Sequence, residues 1–284
     1  MKFGVHVRIG GGFGRSIQEA VAAGCDCIQI FAGNPRGWRT TPYMQSAWLE
    51  FWRQRAELGI APTVIHTSYL INLASADRSL QAKSAKLVAH DLDVAARSKI
   101  EYVNTHLGSY GAQDRAKGFR RVCDTIGRII AKAKPGPMLL LENSAGAGNL
   151  CGGALDELGR IVRAIRSPRI GVCLDTAHAW ASGYDISGDT GVAAFLKEIE
   201  RNIGFARVRA LHLNDTKVAL GAKRDLHWHV GKGRIGPAGF RALLRSPELS
   251  HVAVICETPK TPKLDAQNVA AARRLAGAAH GRAK

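Results

Sequence analysis

The sequence predicts an α/β protein of the (β/α)8 type, a TIM barrel formed as a single domain over residues 1–284. Three observations predict it. Eight short apolar or β-branched runs recur along the chain, and longer amphipathic stretches separate them. Strand-then-helix order of this kind calls for a parallel sheet with helices on its outer face. No linker or shift in composition divides the chain, and 284 residues is near the upper limit for one hydrophobic core.

Taken in order, the strand runs are FGVHV (3–7), CIQIF (27–31), TVIH (63–66), YVNTH (102–106), MLLLE (138–142), GVCLD (171–175), VRALHL (208–213) and VAVICE (252–257). Between them, apolar residues at helical spacing predict helices over Ser46–Leu58, Arg78–Ser98, Asp114–Lys134 and Ala154–Arg166, then over 190–203, 237–245 and 265–277. Ser46, Ser75 or Asp77, and Asp114 stand where helix N-caps belong. A doubly wound open sheet is the alternative. Gly10–Gly14 after the first strand lacks the acidic partner that a dinucleotide fingerprint needs, which weakens that reading. The Ala/Arg/Lys-rich end, His280–Lys284, is expected to fray.

With 46% apolar and 22% charged residues, the composition is that of a globular protein in water. No apolar run reaches membrane-spanning length, and MKFGVHVRIGGG has no signal-peptide core, so no membrane partner and a cytoplasmic or nucleoid location are expected. Six cysteines are scattered without a CxxC pair and read as reduced, buried thiols. The formal net charge of +17 favours a polyanionic partner.

The chemistry gathers at the strand ends. Strands three to six end on His66, His106, Glu142 and Asp175; strand seven places His212 near its end, and strand eight ends on Glu257. In a barrel these positions converge on one rim. Crowded carboxylates repel one another and are costly to desolvate, and divalent cations relieve both problems. Mixed imidazole and carboxylate donors suit zinc best, with manganese or iron as alternatives. His178 follows Asp175 by three residues, and in RDLHWH Asp225 and His227 alternate, so both can grip one ion, with His229 a spare. Nine donors are too many for one ion and suit a cluster of two or three, the arrangement used for displacement at phosphorus.

HTSYLINLAS (66–75), NTHLGS (104–109), LLLENSAGAGNL (139–150), GVCLDTAHAWASGYD (171–185), LHLNDTK (211–217) and GKGRIG (231–236) together closely resemble the endonuclease IV family of apurinic/apyrimidinic endonucleases. The resemblance spans essentially the whole chain. It implies a trinuclear zinc site: His66, His106 and Glu142 on one ion; Glu142, Asp175, His212 and Glu257 on a second; His178, Asp225 and His227 on a third. Glu142, Asp175 and Glu257 would be the catalytic carboxylates. It also implies a DNA repair nuclease acting on double-stranded DNA with abasic sites or blocked 3′ ends, and a monomer suits a protein that must wrap a duplex. Incision 5′ to the abasic sugar would leave a 3′-hydroxyl and a 5′-deoxyribose phosphate, with a 3′-repair diesterase activity alongside. Arg36, Tyr69 and Leu70 match the family's lesion-contacting residues, although spacing alone would make Arg36 a solvated charge and Tyr69 a core aromatic.

The chain departs from the family pattern in two places. Leu226 stands between Asp225 and His227 where arginine is usual, and Gly33 and Pro35 occupy a lesion-contacting loop that is commonly more polar. Neither departure touches a ligand position. A sugar isomerase or epimerase barrel is the enzymatic rival, but it needs neither the Asp225/His227 pair nor a basic surface. A non-catalytic DNA-binding barrel would not require nine intact ligands.

Overall fold

In the computed structural model, which describes residues 1–277, eight parallel strands close into a barrel in chain order. The strands are β1 (Lys2–His6), β2 (Cys27–Phe31), β3 (Thr63–His66), β4 (Tyr102–Thr105), β5 (Met138–Glu142), β6 (Ile170–Asp175), β7 (Val208–His212) and β8 (Ala253–Cys256). Closure comes from β1 pairing with β8, Phe3 opposite Val254 and Val5 opposite Cys256, which excludes the open-sheet alternative. The predicted strands hold to within one or two residues, with His106 and Glu257 lying one residue past their strands. The predicted fraying tail, His280–Lys284, lies outside the described residues.

Helices α1 (Phe13–Ala22), α2 (Gln45–Glu57), α3 (Arg78–Arg97), α4 (Arg115–Lys132), α5 (Leu155–Ile165), α6 (Thr176–Ala181), α7 (Asp189–Asn202), α8 (Gly236–Leu244) and α9 (Pro262–Ala276) lie between and after the strands. Asp77 and Asp114 cap α3 and α4 as their spacing predicts, each carboxylate accepting backbone N–H bonds from the first turn. Ser46 caps nothing: α2 starts a residue earlier, after Met44, without a side-chain cap. Two helices escaped the sequence reading. The glycines before α1 supply no capping side chain, and α6, at six residues, is too short for a period to show.

Successive strand residues face opposite sides, so one alternating set from each strand fills the barrel. The small buried clusters Cys27–Ala253–Ile255 and Leu140–Cys173–Ala210 stand apart from the main apolar core and belong to that inner set. Counting two residues onward from each leads to Gln29, Glu257, Glu142, Asp175 and His212. The barrel is therefore plugged by small apolar side chains below and by polar ones at its C-terminal mouth.

Candidate metal centre

All nine predicted ligands lie at that mouth. His66, His106 and Glu142 bring donor atoms within 4.8 Å of one another, as do Glu142, Asp175, His212 and Glu257, and also Asp175, His178 and His227. Asp225 closes the third group, with Oδ2 3.3 Å from His178 Nε2 and Oδ1 3.1 Å from His227 Nε2. Glu142 joins the first and second groups, and Asp175 joins the second and third.

Each element positions its donor for a physical reason. Asp175 is both the last residue of β6 and the N-cap of α6, accepting the His178 N–H at 2.8 Å, so the short helix sets His178 beside it. The loop bearing Asp225 and His227 is held from beneath. Trp228 exchanges two backbone hydrogen bonds with Asp215 (2.6 and 3.1 Å). The Asp215 carboxylate accepts N–H bonds from Thr216, Gly233, Ile235 and Gly236. Gly233 passes so close that a Cβ there would lie 2.4 Å from Asp215 Oδ1, which explains the glycine in GKGRIG.

The histidines are aimed by their second nitrogens. Nδ1 of His66 donates to the Thr67 carbonyl (2.7 Å), that of His178 to the Asn143 carbonyl (2.9 Å), and that of His227 to the Glu257 carbonyl (3.2 Å). Each ring therefore presents an Nε2 lone pair to the mouth. His227 Nε2 is buried and makes no well-aligned hydrogen bond, although Asp225 Oδ1 lies 3.1 Å and Asp175 Oδ2 3.5 Å away. His212 is turned the other way. Its Nε2 meets Gln29 Oε1 at 2.9 Å, and its Nδ1 faces Glu142 Oε1 at 3.1 Å, Glu257 Oε2 at 3.1 Å and Asp175 Oδ2 at 3.8 Å.

Among the described residues, no lysine or arginine forms an ion pair with Glu142, Asp175, Asp225 or Glu257. Lone pairs directed at carboxylate oxygens repel them unless a proton or a metal cation sits between. Protons do so partly. Burial pushes Glu142 toward its neutral form, but the charges of His106 and His212 outweigh it and hold its pKa well below the usual carboxylate value. Glu257 is lowered as well, burial being overcome chiefly by His212 and His6. Burial opposes charge on His178, yet Asp175, Asp225 and Glu142 raise it well above the usual imidazole value. For His227 burial again opposes, and Asp175 and Asp225 push it up to about 9. A donor set of imidazole nitrogens and carboxylates, with one buried nitrogen left orphaned, fits divalent cations of the zinc type.

Above the donors opens a cleft of about 1100 Å³, whose walls include Arg36, Tyr69, Leu226 and Lys260. Tyr69 is 59% exposed, its ring edge-on to Phe31 at 5.3 Å, and its N–H donates to the Pro35 carbonyl, tying it to the Arg36 loop. Leu70 is half-buried and is not part of the cleft wall. His229 also lies off the cleft, its ring against Trp228 and its Nδ1 3.2 Å from the Asn268 amide.

Sequence reading missed a second polar set. Asn104 donates to Glu142 Oε2 (2.6 Å), Asn214 to Asp175 Oδ2 (2.7 Å) and Gln29 to Glu257 Oε1 (2.5 Å). The same inward alternation that yields the ligands marks Gln29 and Asn104, each two residues beyond an inward position of its strand. Amides are simply too common to stand out without the register.

Comparisons with known proteins agree with this geometry. The family model described as a xylose isomerase-like TIM barrel matches residues 17–277. A protein of Methanoculleus marisnigri named probable endonuclease 4 is 42% identical over 97% of this chain and 99% of its own. One of the same name from Methanosphaerula palustris is 39% identical over 97% and 98%. The crystal structure of endonuclease IV from Thermus thermophilus superposes with a TM-score of 0.86 at 36% identity, covering 97% of this chain and 98% of that one.

Proposed function

Because the chain belongs to the endonuclease IV family, we propose that it is a metal-dependent DNA repair phosphodiesterase that incises duplex DNA 5′ to abasic sites. Hydrolysis there adds water across the bond from phosphorus to the 3′ oxygen of the preceding nucleotide. The products are a 3′-hydroxyl and a 5′-deoxyribose phosphate, and blocked 3′ ends are a second substrate class. The observation that carries this reading is the set of imidazole nitrogens and buried carboxylates facing one another, with no lysine or arginine paired to those carboxylates among the described residues.

Three ions, zinc by donor chemistry, would be held by the groups His66/His106/Glu142, Glu142/Asp175/His212/Glu257 and His178/Asp225/His227. When bound they would supply Lewis acidity and positive charge at the scissile phosphodiester. The chain's own residues do the rest. Thr67, Asn143 and Glu257 hold imidazole tautomers through their carbonyls, and Asn104 and Asn214 hold carboxylate oxygens. Arg36 places a cation at the cleft wall for a phosphate, and the exposed Tyr69 ring offers a stacking face where a base or sugar has left the helix.

No helix among the described residues is long and apolar enough to cross a membrane, and the +17 charge suits a soluble monomer working along DNA in the cytoplasm. Metal analysis of purified protein together with end-group mapping on an abasic oligonucleotide duplex tests the reading. About three zinc atoms per chain with 5′-side incision support it. Protein that binds no metal, or nicks 3′ to the lesion, overturns it.

A further inference from the structure

We infer that Gln29 is a positioning residue that decides which nitrogen of His212 and which oxygen of Glu257 face the metal centre. The inference rests on the metal-binding reading above. Gln29 sits on β2, the one strand with β1 from which no ligand comes, and its side chain is fully buried inside the barrel. A carboxylate accepts hydrogen bonds and cannot donate one, so the group 2.5 Å from Glu257 Oε1 is the Gln29 NH2. That fixes the amide orientation. Gln29 Oε1 then lies 2.9 Å from His212 Nε2, and because an amide oxygen only accepts, Nε2 carries the proton. The other amide hydrogen is directed at His6 Nδ1, 3.0 Å away.

The consequence is specific. His66, His178 and His227 each commit Nδ1 to a backbone carbonyl and offer Nε2. His212 commits Nε2 to a side chain and offers Nδ1, which is the nitrogen 3.1 Å from both Glu142 Oε1 and Glu257 Oε2. Gln29 also occupies Glu257 Oε1, leaving Oε2 as the oxygen on the His212 side. One buried amide thus orients two of the three donors that join Glu142 in the second group. A backbone carbonyl cannot be mutated away, but Gln29 can, so the orientation of the His212 ring is open to test.

Two measurements test it, neither of which uses DNA. In zinc-loaded wild-type protein, long-range proton–nitrogen correlation of the histidine rings should show His212 ligated through Nδ1 with a proton on Nε2, and His66, His178 and His227 ligated through Nε2. In Gln29→Met, which keeps the bulk and loses the hydrogen bonds to His212 and Glu257 along with that to His6, chelator competition should show one ion held roughly 10- to 100-fold more weakly. The other ions should keep affinities within about twofold, as expected when outer partners tune only their own ligand. A His212 ligated through Nε2 overturns the inference even if the variant fails to fold. So does a Gln29→Met protein that titrates like wild type. Wild-type protein that takes up no zinc fails the metal reading itself, and this inference falls with it.

Discussion

The two ends of this barrel treat buried charge in opposite ways. At the N-terminal end, arginines do the neutralising. Arg55 donates to Thr63 Oγ1 and Glu101 Oε2, both at 3.0 Å, and also to the Lys99 carbonyl. Arg273 pairs with Asp26 at 2.6 Å, Arg169 donates to the Ala133 and Lys134 carbonyls ahead of β5, and Arg207 donates to the Ser167 and Ile170 carbonyls at the start of β6. A guanidinium is always charged, so these carboxylates have a permanent counter-charge, although the buried Arg55 Nε itself meets no acceptor. At the C-terminal end, carboxylates face imidazoles that can lose their protons, with no arginine or lysine paired to Glu142, Asp175 or Glu257 among the described residues. The lower end is built to stay closed. The upper end is built to exchange its protons for something else.

The largest test of that difference is at Glu142, which is shared by two donor groups. Gln at this position keeps the shape and removes the charge. Glu142→Gln should fold normally, lose roughly a thousandfold in incision rate, as expected when several kcal/mol of metal-borne charge stabilisation is lost, and retain less metal after dialysis. Incision at near wild-type rates would remove Glu142 from the mechanism, and circular dichroism separates this from misfolding.

A second test separates the ends by pH. Burial opposes charge on all three rings, yet His227 is raised to about 9 and His178 is raised by carboxylate neighbours, and His212 is raised by Cys173 together with Glu257 and Glu142. A group whose folded pKa is raised contributes stability that is complete below its unfolded value near 6.5 and fades as pH climbs through the folded value. From His227 alone, chelated protein should therefore lose roughly 3 kcal/mol of unfolding free energy between about pH 6.5 and 9.5, with His178 and His212 adding losses in the same direction. Zinc-loaded protein should not, since its imidazoles are already unprotonated at the ligating atoms. Parallel urea titrations of the two forms check this, and equal pH profiles would break the comparison.

How far could the chain alone disclose these two ends? The upper one was largely legible, because His66, His106, Glu142, Asp175, His212 and Glu257 are chemically distinctive residues at the ends of apolar runs. Asp225 and His227 needed the resemblance to supply their partner His178, since neither periodicity nor spacing relates a loop to a helix far earlier in the chain. Gln29 and Asn104 stayed hidden because their importance lies in register, in which neighbour each amide meets. Leu70 matched by sequence yet is half-buried and does not line the cleft, a matter of packing that a motif does not encode. The lower end was not legible. Nothing in RQRAELG distinguishes Arg55 from its exposed neighbour Arg53 until α2 is packed against β3.

Arg55 therefore sharpens the contrast from below. Its side chain is 5% exposed and its partner Glu101 is 37% exposed. Removing it strands the Lys99 carbonyl and loosens Glu101, which can recover some water. Arg55→Ala should cost about 2–3 kcal/mol and lower Tm by roughly 5–10 °C. Metal content and incision rate at low temperature should stay as in wild type. A fall in zinc stoichiometry in this variant would mean that the two ends are not independent.

The smallest expected effect lies at the cleft wall, where exposure rather than burial sets the energetics. Tyr69 rests on Phe31 and presents the rest of its ring to solvent, so its removal leaves no cavity and strands no charge. What it would lose is a stacking face, worth about 1–2 kcal/mol per base or sugar engaged. Tyr69→Ala should bind abasic duplex roughly tenfold more weakly while its binding to undamaged duplex and its salt dependence stay unchanged. Arg36→Ala should do the reverse: it weakens both duplexes alike and reduces the slope of log affinity against log salt by about 1. Fluorescence anisotropy with the two duplexes over a salt series reads both variants. Equal losses on damaged and undamaged DNA for Tyr69→Ala would show that the ring contributes bulk contact instead of lesion recognition, leaving discrimination to the metal-lined floor beneath it.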